Sequence, residues 1–187
     1  MPRASSTRTT ADATTVRTPL LVNVVELLRW PGTTKDLDVT VAAADLGFDD
    51  PRIVDEPVAI TVRLESLSNG VSVRGTATAR WAGECRRCLA PVSERASVDL
   101  DELYQRVRED PDAHVIENDQ IDLLPMVREN ILLAVPIGPL CREDCPGFCP
   151  QCGADLSEGA CGCDGTVQDP RWAALDALKG RLADPDR

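Results

Sequence analysis

Eight cysteines, grouped in four close pairs, constrain this chain more than any other feature of its sequence. Two pairs enclose two residues, one encloses three, one encloses a single residue, and no cysteine is left over. In a reducing compartment, cysteines paired this closely are typical of metal ligands or reactive thiols rather than of structural disulfides. The pairs are Cys85 with Cys88, Cys141 with Cys145, Cys149 with Cys152, and Cys161 with Cys163.

The N-terminal residues carry no signal for export. Residues 1–18 are rich in Ser, Thr and Arg and lack the apolar stretch of a signal peptide. We expect them to form a disordered leader, because so polar a segment can bury little surface. The longest apolar run, residues 20–28, is interrupted by Asn23 and Glu26 and falls short of the roughly 20 residues that a membrane span needs. The sequence therefore predicts a cytoplasmic protein without membrane contact.

Reduced thiols in this number are enough for two four-cysteine metal sites. Zn²⁺ takes tetrahedral thiolate ligands, and Cys₄ sets form closed structural sites without an open coordination position. We therefore expect two structural zinc ions, with iron as a metal that thiolates also accept. The formal charge of -11 would change by -8 + 4 = -4, to about -15, with eight thiolates and two Zn²⁺. So acidic a chain is not a general binder of nucleic acid, because that binding needs many Lys and Arg.

The four pairs can be combined into two sites in three ways. Eight residues, 153–160, separate the last two pairs, and a loop of this length closes at low entropic cost. Loop closure therefore favours one site from the last two pairs. The other site would join the first two pairs, with 52 residues between Cys88 and Cys141. The sequence leaves the other two combinations open.

The remaining segments predict an α+β fold, with a small antiparallel β-sheet or hairpin scaffold, a few helices and a cysteine-rich, zinc-binding C-terminal lobe. Apolar residues alternate over 58–64 and 71–81, and Asn69-Gly70 between them is a typical hairpin turn. A loop at these two positions places Val58 beside Trp81 and Glu65 opposite Arg74. Shorter strands are expected at 20–25 and 37–41, around a Pro31-Gly32 turn, and another at 92–103.

Two helices are expected, and they complete a three-part organisation of the chain. The first has Asp122 as N-cap and ends before Pro136, and the second has Asp169 as N-cap. Between strand and helix, residues 108–120 are interpreted as a mobile acidic loop with His114 at the surface. The expected parts are the leader 1–18, an α+β domain 19–140, and a cysteine-rich segment with the last helix, 141–187, within the same unit. The apolar helix positions are Ile121, Leu124, Val127 and Ile131, then Trp172, Leu175, Leu178 and Leu182.

The sequence contains no recognisable catalytic constellation. It lacks a glycine-rich phosphate loop, a nucleophile elbow and a histidine metal motif. Arg86 and Arg87 lie between two cysteines on a predicted turn, where they are candidates for contact with RNA or a partner, and the alternative is an ordinary solvated turn. Trp30, Trp81 and Trp172 are interpreted as core or interface anchors. We therefore expect a protein that is not an enzyme and takes no small-molecule substrate.

Several motifs taken together resemble one known family. Cys85-Arg86-Arg87-Cys88-Leu89 is followed by Pro139-Leu140-Cys141 and by the run from Cys145 to Leu156, CPGFCPQCGADL. In this order they resemble the YceD family of large ribosomal RNA subunit accumulation proteins, in the actinobacterial form with the full cysteine set. The resemblance covers about 20–182.

The resemblance implies a role in 23S rRNA accumulation or processing, without known catalysis. The implied partner is an assembly intermediate of the large subunit, through a ribosomal protein, an assembly factor or 23S pre-rRNA. The acidic chain favours a basic protein partner. Three alternatives stay open: a thiol-disulfide redox protein that uses the C-x-x-C pairs, a nuclease without a visible site, and a metal-stapled adaptor unrelated to ribosomes.

Overall fold

The computed structural model describes residues 20–163 together with Arg171 and Leu175. The predicted leader, and the predicted second helix apart from Arg171 and Leu175, lie outside these residues. In chain order the described elements are β1 (Leu21–Asn23), a 3₁₀ helix (Leu27–Arg29), β2 (Thr34–Val41), α1 (Ala43–Leu46), β3 (Val58–Leu67), β4 (Gly70–Glu84), β5 (Pro91–Gln105), β6 (His114–Val115), β7 (Gln120–Asp122) and α2 (Leu124–Ala134).

The strands form two sheets. The larger has the order β2-β3-β4-β5-β6, and β1 pairs with β7 in a second, two-stranded sheet. The pairs β2–β3, β3–β4 and β1–β7 are antiparallel, whereas the short β6 runs parallel to β5. Sheets with a few helices are the α+β class, so the predicted fold class is confirmed. The predicted turn at Pro31-Gly32 is present. The strands on either side of it do not pair with each other, because β1 pairs with β7 and β2 pairs with β3.

The β3–β4 hairpin follows the predicted alternation but not the predicted register. Leu67 pairs with Gly70, so the two-residue loop is Ser68-Asn69 rather than Asn69-Gly70. Ile60 therefore lies opposite Ala77, and the predicted pairing of Val58 with Trp81 is wrong by two residues. A shift of two residues leaves every side chain on its predicted face. The inward residues of β3 from Val58 to Leu64 are accordingly buried.

The position of Gly70 explains why the turn lies one residue earlier. A Cβ atom at Gly70 would lie 2.2 Å from the backbone oxygen of Tyr104. The glycine is therefore required by the close approach of β5 and not by a left-handed turn conformation. Neither Ser68 nor Asn69 has a positive φ, so this hairpin does not use the type I′ turn that an Asn-Gly pair favours.

A type I′ turn occurs instead at Asn118-Asp119, inside the predicted acidic loop. Both residues have positive φ, 50° and 58°, and Glu117 and Gln120 exchange two backbone hydrogen bonds of 3.1 and 2.8 Å across the turn. The same segment contains β6, with Ile116 buried after it. Residues 108–120 thus contain a short strand and a hairpin turn, whereas their acidic composition had predicted only a loop.

Charged residues form a row across the exposed face of the larger sheet. Arg63 lies directly opposite Arg74, and each guanidinium pairs with a carboxylate on the outer neighbouring strand. The Arg63 Nε–Asp36 Oδ1 distance is 2.7 Å and the Arg74 Nε–Asp101 Oδ1 distance is 3.0 Å. The prediction that Arg74 pairs with Glu65 is wrong, because the corrected register places Ser72 opposite Glu65.

The helix α2 begins later than predicted. Ile121 belongs to β7, and the helix starts at Leu124 with Pro125 in its first turn. The N-cap is Leu123 rather than the predicted Asp122, which is the last residue of β7. Asp122 Oδ1 nevertheless accepts a hydrogen bond of 3.0 Å from the Leu124 amide. The helix ends before Pro136, as predicted, and buries Met126, Val127 and Ile131.

The chain divides into two compact units. One comprises the described residues up to Trp81 together with Glu94–Val135, and the other comprises Ala82–Ser93 and the described residues from Pro136 onwards. The first unit contains the main core, where β3, β4 and α2 contribute fully buried aliphatic side chains. All eight cysteines lie in the second unit. The domain boundaries expected from the sequence stay a prediction.

Candidate metal centres

The turn between β4 and β5 carries the first cysteine pair. The Cys85 amide donates to the Ala90 oxygen at 2.8 Å, and the Leu89 amide donates to the Cys85 oxygen at 2.9 Å. These two bonds close a tight turn around Cys85-Arg86-Arg87-Cys88. The Arg87 amide also donates to Cys85 Sγ at 3.5 Å. Such a turn directs both thiols of the pair to the same side, and we call it the first knuckle.

The third cysteine pair repeats this turn with the same hydrogen bonds. The Cys149 amide donates to the Ala154 oxygen at 2.8 Å, and the Gly153 amide donates to the Cys149 oxygen at 2.9 Å. The residue after the second cysteine is left-handed in both turns, with φ of 60° at Leu89 and 73° at Gly153. We call Cys149–Cys152 the second knuckle. The two C-x-x-C motifs thus fold into the same local geometry.

The structure brings the eight cysteines into two groups of four. Within each group all four Sγ atoms lie within 4.8 Å of one another. This grouping is the one that loop closure favoured. The first tetrad consists of Cys85, Cys88, Cys141 and Cys145, and the second tetrad of Cys149, Cys152, Cys161 and Cys163.

The sulfur distances in the first tetrad fit a tetrahedral metal ion. Cys85 Sγ lies 3.8 Å from Cys145 Sγ, and Cys88 Sγ lies 3.6 Å from Cys141 Sγ. Four sulfurs bound at about 2.3 Å from one zinc ion lie about 3.8 Å apart. A disulfide would instead bring two sulfurs to about 2.0 Å. The tetrads can therefore bind metal ions, and four thiols would complete each coordination sphere.

The thiols of each tetrad differ in acidity. Burial raises the pKa of Cys85, but N–H donors of Cys141, Arg87 and Cys88 outweigh it and lower the pKa to about 6. In the second tetrad, the amides of Cys152 and Gln151 lower the pKa of Cys149 to about 6. Hydrogen bonds with neighbouring sulfurs raise the pKa of Cys141 and of Cys163 to about 12. Cys85 and Cys149 thus ionise more readily than Cys141 and Cys163, and a bound cation would favour the thiolate form of the cysteines that hold it.

The two arginines of the first knuckle hold neighbouring chain segments. The Arg87 guanidinium donates to the oxygens of Cys145 at 2.8 Å and Glu143 at 3.4 Å. The Arg86 amide donates to the Pro139 oxygen at 2.9 Å. The hydrogen bonds of Arg87 give it a structural role in holding Cys145 against the knuckle. Contact of Arg86 or Arg87 with RNA or a partner stays a prediction.

The sequence reasoning missed two residues that shape this region. Gly147 has a φ of 71°, and a Cβ atom there would lie 2.7 Å from the Arg87 oxygen. Leu89 occupies the left-handed position that glycine fills in the second knuckle. Aligning the two C-x-x-C motifs would have indicated the constraint at Leu89. No signal in the sequence pointed to Gly147, because it contacts a residue 60 positions earlier.

None of the described histidine, tyrosine and tryptophan residues belongs to a tetrad. His114 belongs to neither metal-binding group and stacks on Tyr104, with ring centroids 4.9 Å apart. Trp81 is buried, as expected for a core residue, whereas Trp30 is 73% exposed and is not part of the core. Trp172 lies outside the described residues. In the part of the chain that the structure describes, no helix has the length and apolar character to cross a membrane.

Fold and site together define an α+β protein with two four-cysteine centres. The chain belongs to the YceD family, described as large ribosomal RNA subunit accumulation proteins, whose family model matches residues 73–179. This finding confirms the resemblance that the cysteine motifs indicated.

The chain is also similar to several individual proteins. An uncharacterized protein of Mycobacterium tuberculosis is 37% identical over 183 residues, which covers 90% of this chain and 86% of the relative. An uncharacterized protein of Bacillus subtilis, YlbN, is 31% identical and covers 83% of this chain and 94% of its own length. An Arabidopsis thaliana chloroplastic protein, named as a YCED homolog of large ribosomal RNA subunit accumulation, is 29% identical over 63 residues, which is 34% of this chain and 20% of the plant protein. No solved structure matches.

Proposed function

We propose that this protein is a non-enzymatic, zinc-binding factor for biogenesis of the large ribosomal subunit. It acts in the cytoplasm and supports the accumulation or processing of 23S rRNA. The observation that carries this proposal is membership of a family described by large ribosomal RNA subunit accumulation. A plant relative with the same description adds support from a distant organism.

The metal in this proposal has a structural role. Each tetrad holds one zinc ion, with all eight cysteines as ligands, and the ions supply tetrahedral cross-links between loop segments that contain few apolar residues. Four thiolates fill the coordination sphere, so neither ion offers a position to a substrate. The cysteine-rich segment from residue 141 therefore depends on metal for its fold, while the sheet has an aliphatic core of its own.

The partner in this proposal is a component of the immature large subunit. The formal charge of -11 favours a basic ribosomal protein, because opposite charge accelerates and orients association. An assembly factor and 23S pre-rRNA are the other candidates within the same role. Arg86 is the residue through which RNA contact is most readily tested, because its side chain is exposed and Arg87 is held by backbone oxygens.

Depletion of the protein in its own cell tests the ribosomal role. We expect mature 23S rRNA to fall relative to the small-subunit rRNA, and the tagged protein to co-sediment with large-subunit precursors on a density gradient. Re-expression of the wild-type chain restores the ratio, and re-expression of Arg86→Ala at equal abundance shows whether that side chain contributes. An unchanged rRNA ratio together with no co-sedimentation would contradict the proposal and favour an adaptor unrelated to ribosomes.

Thiol-disulfide exchange is a second candidate, favoured by the lowered pKa of Cys85 and Cys149. Their burial opposes it, since Cys85 is 0% and Cys149 is 6% exposed, and a reactive thiol needs solvent access. Elemental analysis with a thiol titration distinguishes the two functions. We expect about two zinc ions per chain with all thiols protected. Little metal, with disulfides that form and break reversibly, would favour the redox function.

A further inference from the structure

The two tetrads are anchored to different degrees by the polypeptide around them. In the first tetrad, the segment with Cys141 and Cys145 is attached to the knuckle by hydrogen bonds that do not involve sulfur. The Arg86 amide donates to Pro139, the Arg87 guanidinium donates to Cys145, and the Phe148 amide donates to the Arg87 oxygen at 3.1 Å. These hydrogen bonds attach the segment to the knuckle through groups other than the thiols.

The second tetrad lacks such support for one of its halves. The segment 159–163, which we call the arm, carries Cys161 and Cys163. Within the described residues, its only backbone hydrogen bond is internal, from the Cys163 amide to the Cys161 oxygen at 2.5 Å. Cys149 and Cys152 form no backbone hydrogen bond with a described residue of the arm. The thiols, and the metal that they would hold, are thus the described connection between arm and knuckle.

The cysteines of the second tetrad are also more exposed to solvent than those of the first tetrad. Cys85 and Cys145 are buried in the first tetrad, at 0% and 3% exposure, whereas Cys149 is the single buried thiol of the second tetrad. Cys152 and Cys163 are exposed, and they lie on opposite halves of the site, one on the knuckle and one on the arm. Their sulfur atoms are within 4.8 Å of each other. An oxidant in solution can therefore reach two neighbouring thiols there.

We propose that the second tetrad is an oxidation site, at which a peroxide links Cys152 to Cys163 and releases one metal ion while the first tetrad keeps its own. This proposal rests on the metal binding proposed above and not on the ribosomal role. It adds a chemical response to a centre whose other function is structural. In the described residues, the metal site is what holds the arm to the second knuckle. After oxidation and loss of the ion, one disulfide bond, between Cys152 and Cys163, would join them instead.

The oxidation proceeds in two balanced steps. The thiolate of one exposed cysteine attacks a peroxide oxygen, the O–O bond breaks, and the sulfur becomes a sulfenic acid as hydroxide leaves. The second thiolate then attacks this sulfur, an S–S bond forms, and a second hydroxide leaves. The two sulfurs have lost two electrons, hydrogen peroxide has gained them, and two protons from solvent convert the hydroxides to water. The metal leaves as a divalent cation, because two of its four ligands are gone.

The test is a peroxide titration of the full-length, zinc-loaded protein, with released zinc measured by a chromogenic chelator. We expect one zinc ion per chain to be released first and a second only at higher peroxide. After release of the first zinc ion, an alkylating reagent should modify the remaining thiols but not Cys152 and Cys163, because these two are joined in a disulfide. Cleavage after Glu158 separates these two cysteines in sequence, so a disulfide between them joins two fragments that mass spectrometry can identify.

Two matched variants distinguish this reaction from general damage. Cys163→His keeps a Cys₃His ligand set that zinc accepts, but it cannot form the disulfide, so the first stage of release should be lost. Cys141→His makes the same change at the exposed thiol of the first tetrad, and the first stage should be unchanged. Zinc content is measured before peroxide is added, which confirms that each variant is loaded.

The outcomes separate this inference from the proposed function. Fewer than two zinc ions before oxidation would overturn the two-site metal proposal itself. Two zinc ions that leave together, or an early disulfide that involves Cys85, Cys88 or Cys141, would overturn the oxidation site and leave the structural role of zinc intact. A first stage that persists in Cys163→His would also overturn it.

Discussion

Leu89 and Gly153 occupy the same position in the two knuckles, but only one of them suits it. Both are left-handed, with φ of 60° and 73°. For a residue with a Cβ atom this conformation costs about 1–2 kcal/mol, a cost that glycine avoids. Leu89 is also 61% exposed, so burial of its side chain offsets little of that cost. Leu89, which follows the metal-ligand candidate Cys88, is therefore in a strained conformation that its side-chain contacts do not offset.

We predict that Leu89→Gly stabilises the zinc-loaded protein by about 1 kcal/mol, because it removes the strain of the left-handed conformation. The measurement is the free energy of unfolding from denaturant titration. Leu89→Ala is the control, since it removes most of the side chain but keeps the strain, and it should change stability by less than about 0.5 kcal/mol. Gly153→Leu should destabilise the protein. A destabilised Leu89→Gly variant would show that the leucine makes contacts that outweigh the strain.

Tyr104 is the single tyrosine of the chain and lies at 1% exposure, with its hydroxyl donating to the Asp122 oxygen at 3.1 Å. Burial and the nearby carboxylates of Glu102 and Asp122 raise the pKa of this phenol well above its ordinary value. The folded state therefore holds the proton more tightly than the unfolded state. Its contribution to stability is complete below about pH 10, the unfolded pKa, and is lost as pH rises towards the folded pKa.

We predict that the phenolate absorbance of Tyr104 appears only as the protein unfolds in alkali, in a single transition shared with the loss of sheet structure. Absorbance and circular dichroism recorded on the same samples test this. Tyr104→Phe loses the hydroxyl and its hydrogen bond, which costs about 1 kcal/mol at neutral pH. A phenolate signal that titrates near pH 10 in the folded protein would show that the ring is accessible to solvent.

At the scale of elements, the β3–β4 hairpin shows how packing sets a turn. Asn69-Gly70 favours a type I′ turn by its residue types, yet the glycine lies in β4 against the backbone of Tyr104. Gly75 is placed in the same way, with a Cβ atom there 2.0 Å from the Thr61 oxygen. Both glycines allow neighbouring strands to approach, and this need outweighs the local preference of the turn.

We predict that Gly70→Ala destabilises the protein by about 2 kcal/mol, within the range of overpacked cores, because the new methyl group overlaps the Tyr104 oxygen. Denaturant unfolding measures the change. Asn69→Ala is the control, and it should cost less than about 0.5 kcal/mol because Asn69 does not adopt the left-handed conformation. Larger damage from Asn69→Ala than from Gly70→Ala would indicate that turn chemistry sets the register.

At the scale of the whole molecule, the two tetrads join segments at different distances along the chain. Cys88 and Cys141 lie 53 residues apart, whereas Cys149 and Cys163 belong to one short stretch. A cross-link that closes a longer loop removes more entropy from the unfolded chain. The first tetrad should therefore contribute more to global stability, and the second should act locally.

We predict that Cys149→Ser binds one zinc ion, loses protease resistance in the segment after residue 146, and keeps most of its sheet. Cys85→Ser also loses one ion but lowers global stability further, because the longer loop is no longer closed. Limited proteolysis, circular dichroism and elemental analysis of both variants test this. Unchanged protease resistance in Cys149→Ser would show that the segment folds without its metal.

Much of this protein follows from sequence because the signals are local. The cysteine pairs, the alternation in β3 and β4, and the Pro136 helix stop each depend on residues a few positions apart, so the α+β class could be predicted. Loop closure favoured the observed grouping of the cysteine pairs but left two other groupings open. The faces of the hairpin were predicted correctly even though the register was wrong, since side chains repeat every second residue and a shift of two preserves them.

Other features were decided by contacts between distant residues, and only the tertiary structure determined them. Gly70 is required by the backbone of β5, Gly147 by the oxygen of Arg87, and Arg74 pairs with Asp101 across strands. The turn at Asn118-Asp119 lies in a segment whose acidic composition indicated only a loop. Local propensity ranks the conformations open to a short segment, but steric fit and charge pairing with distant strands select among them.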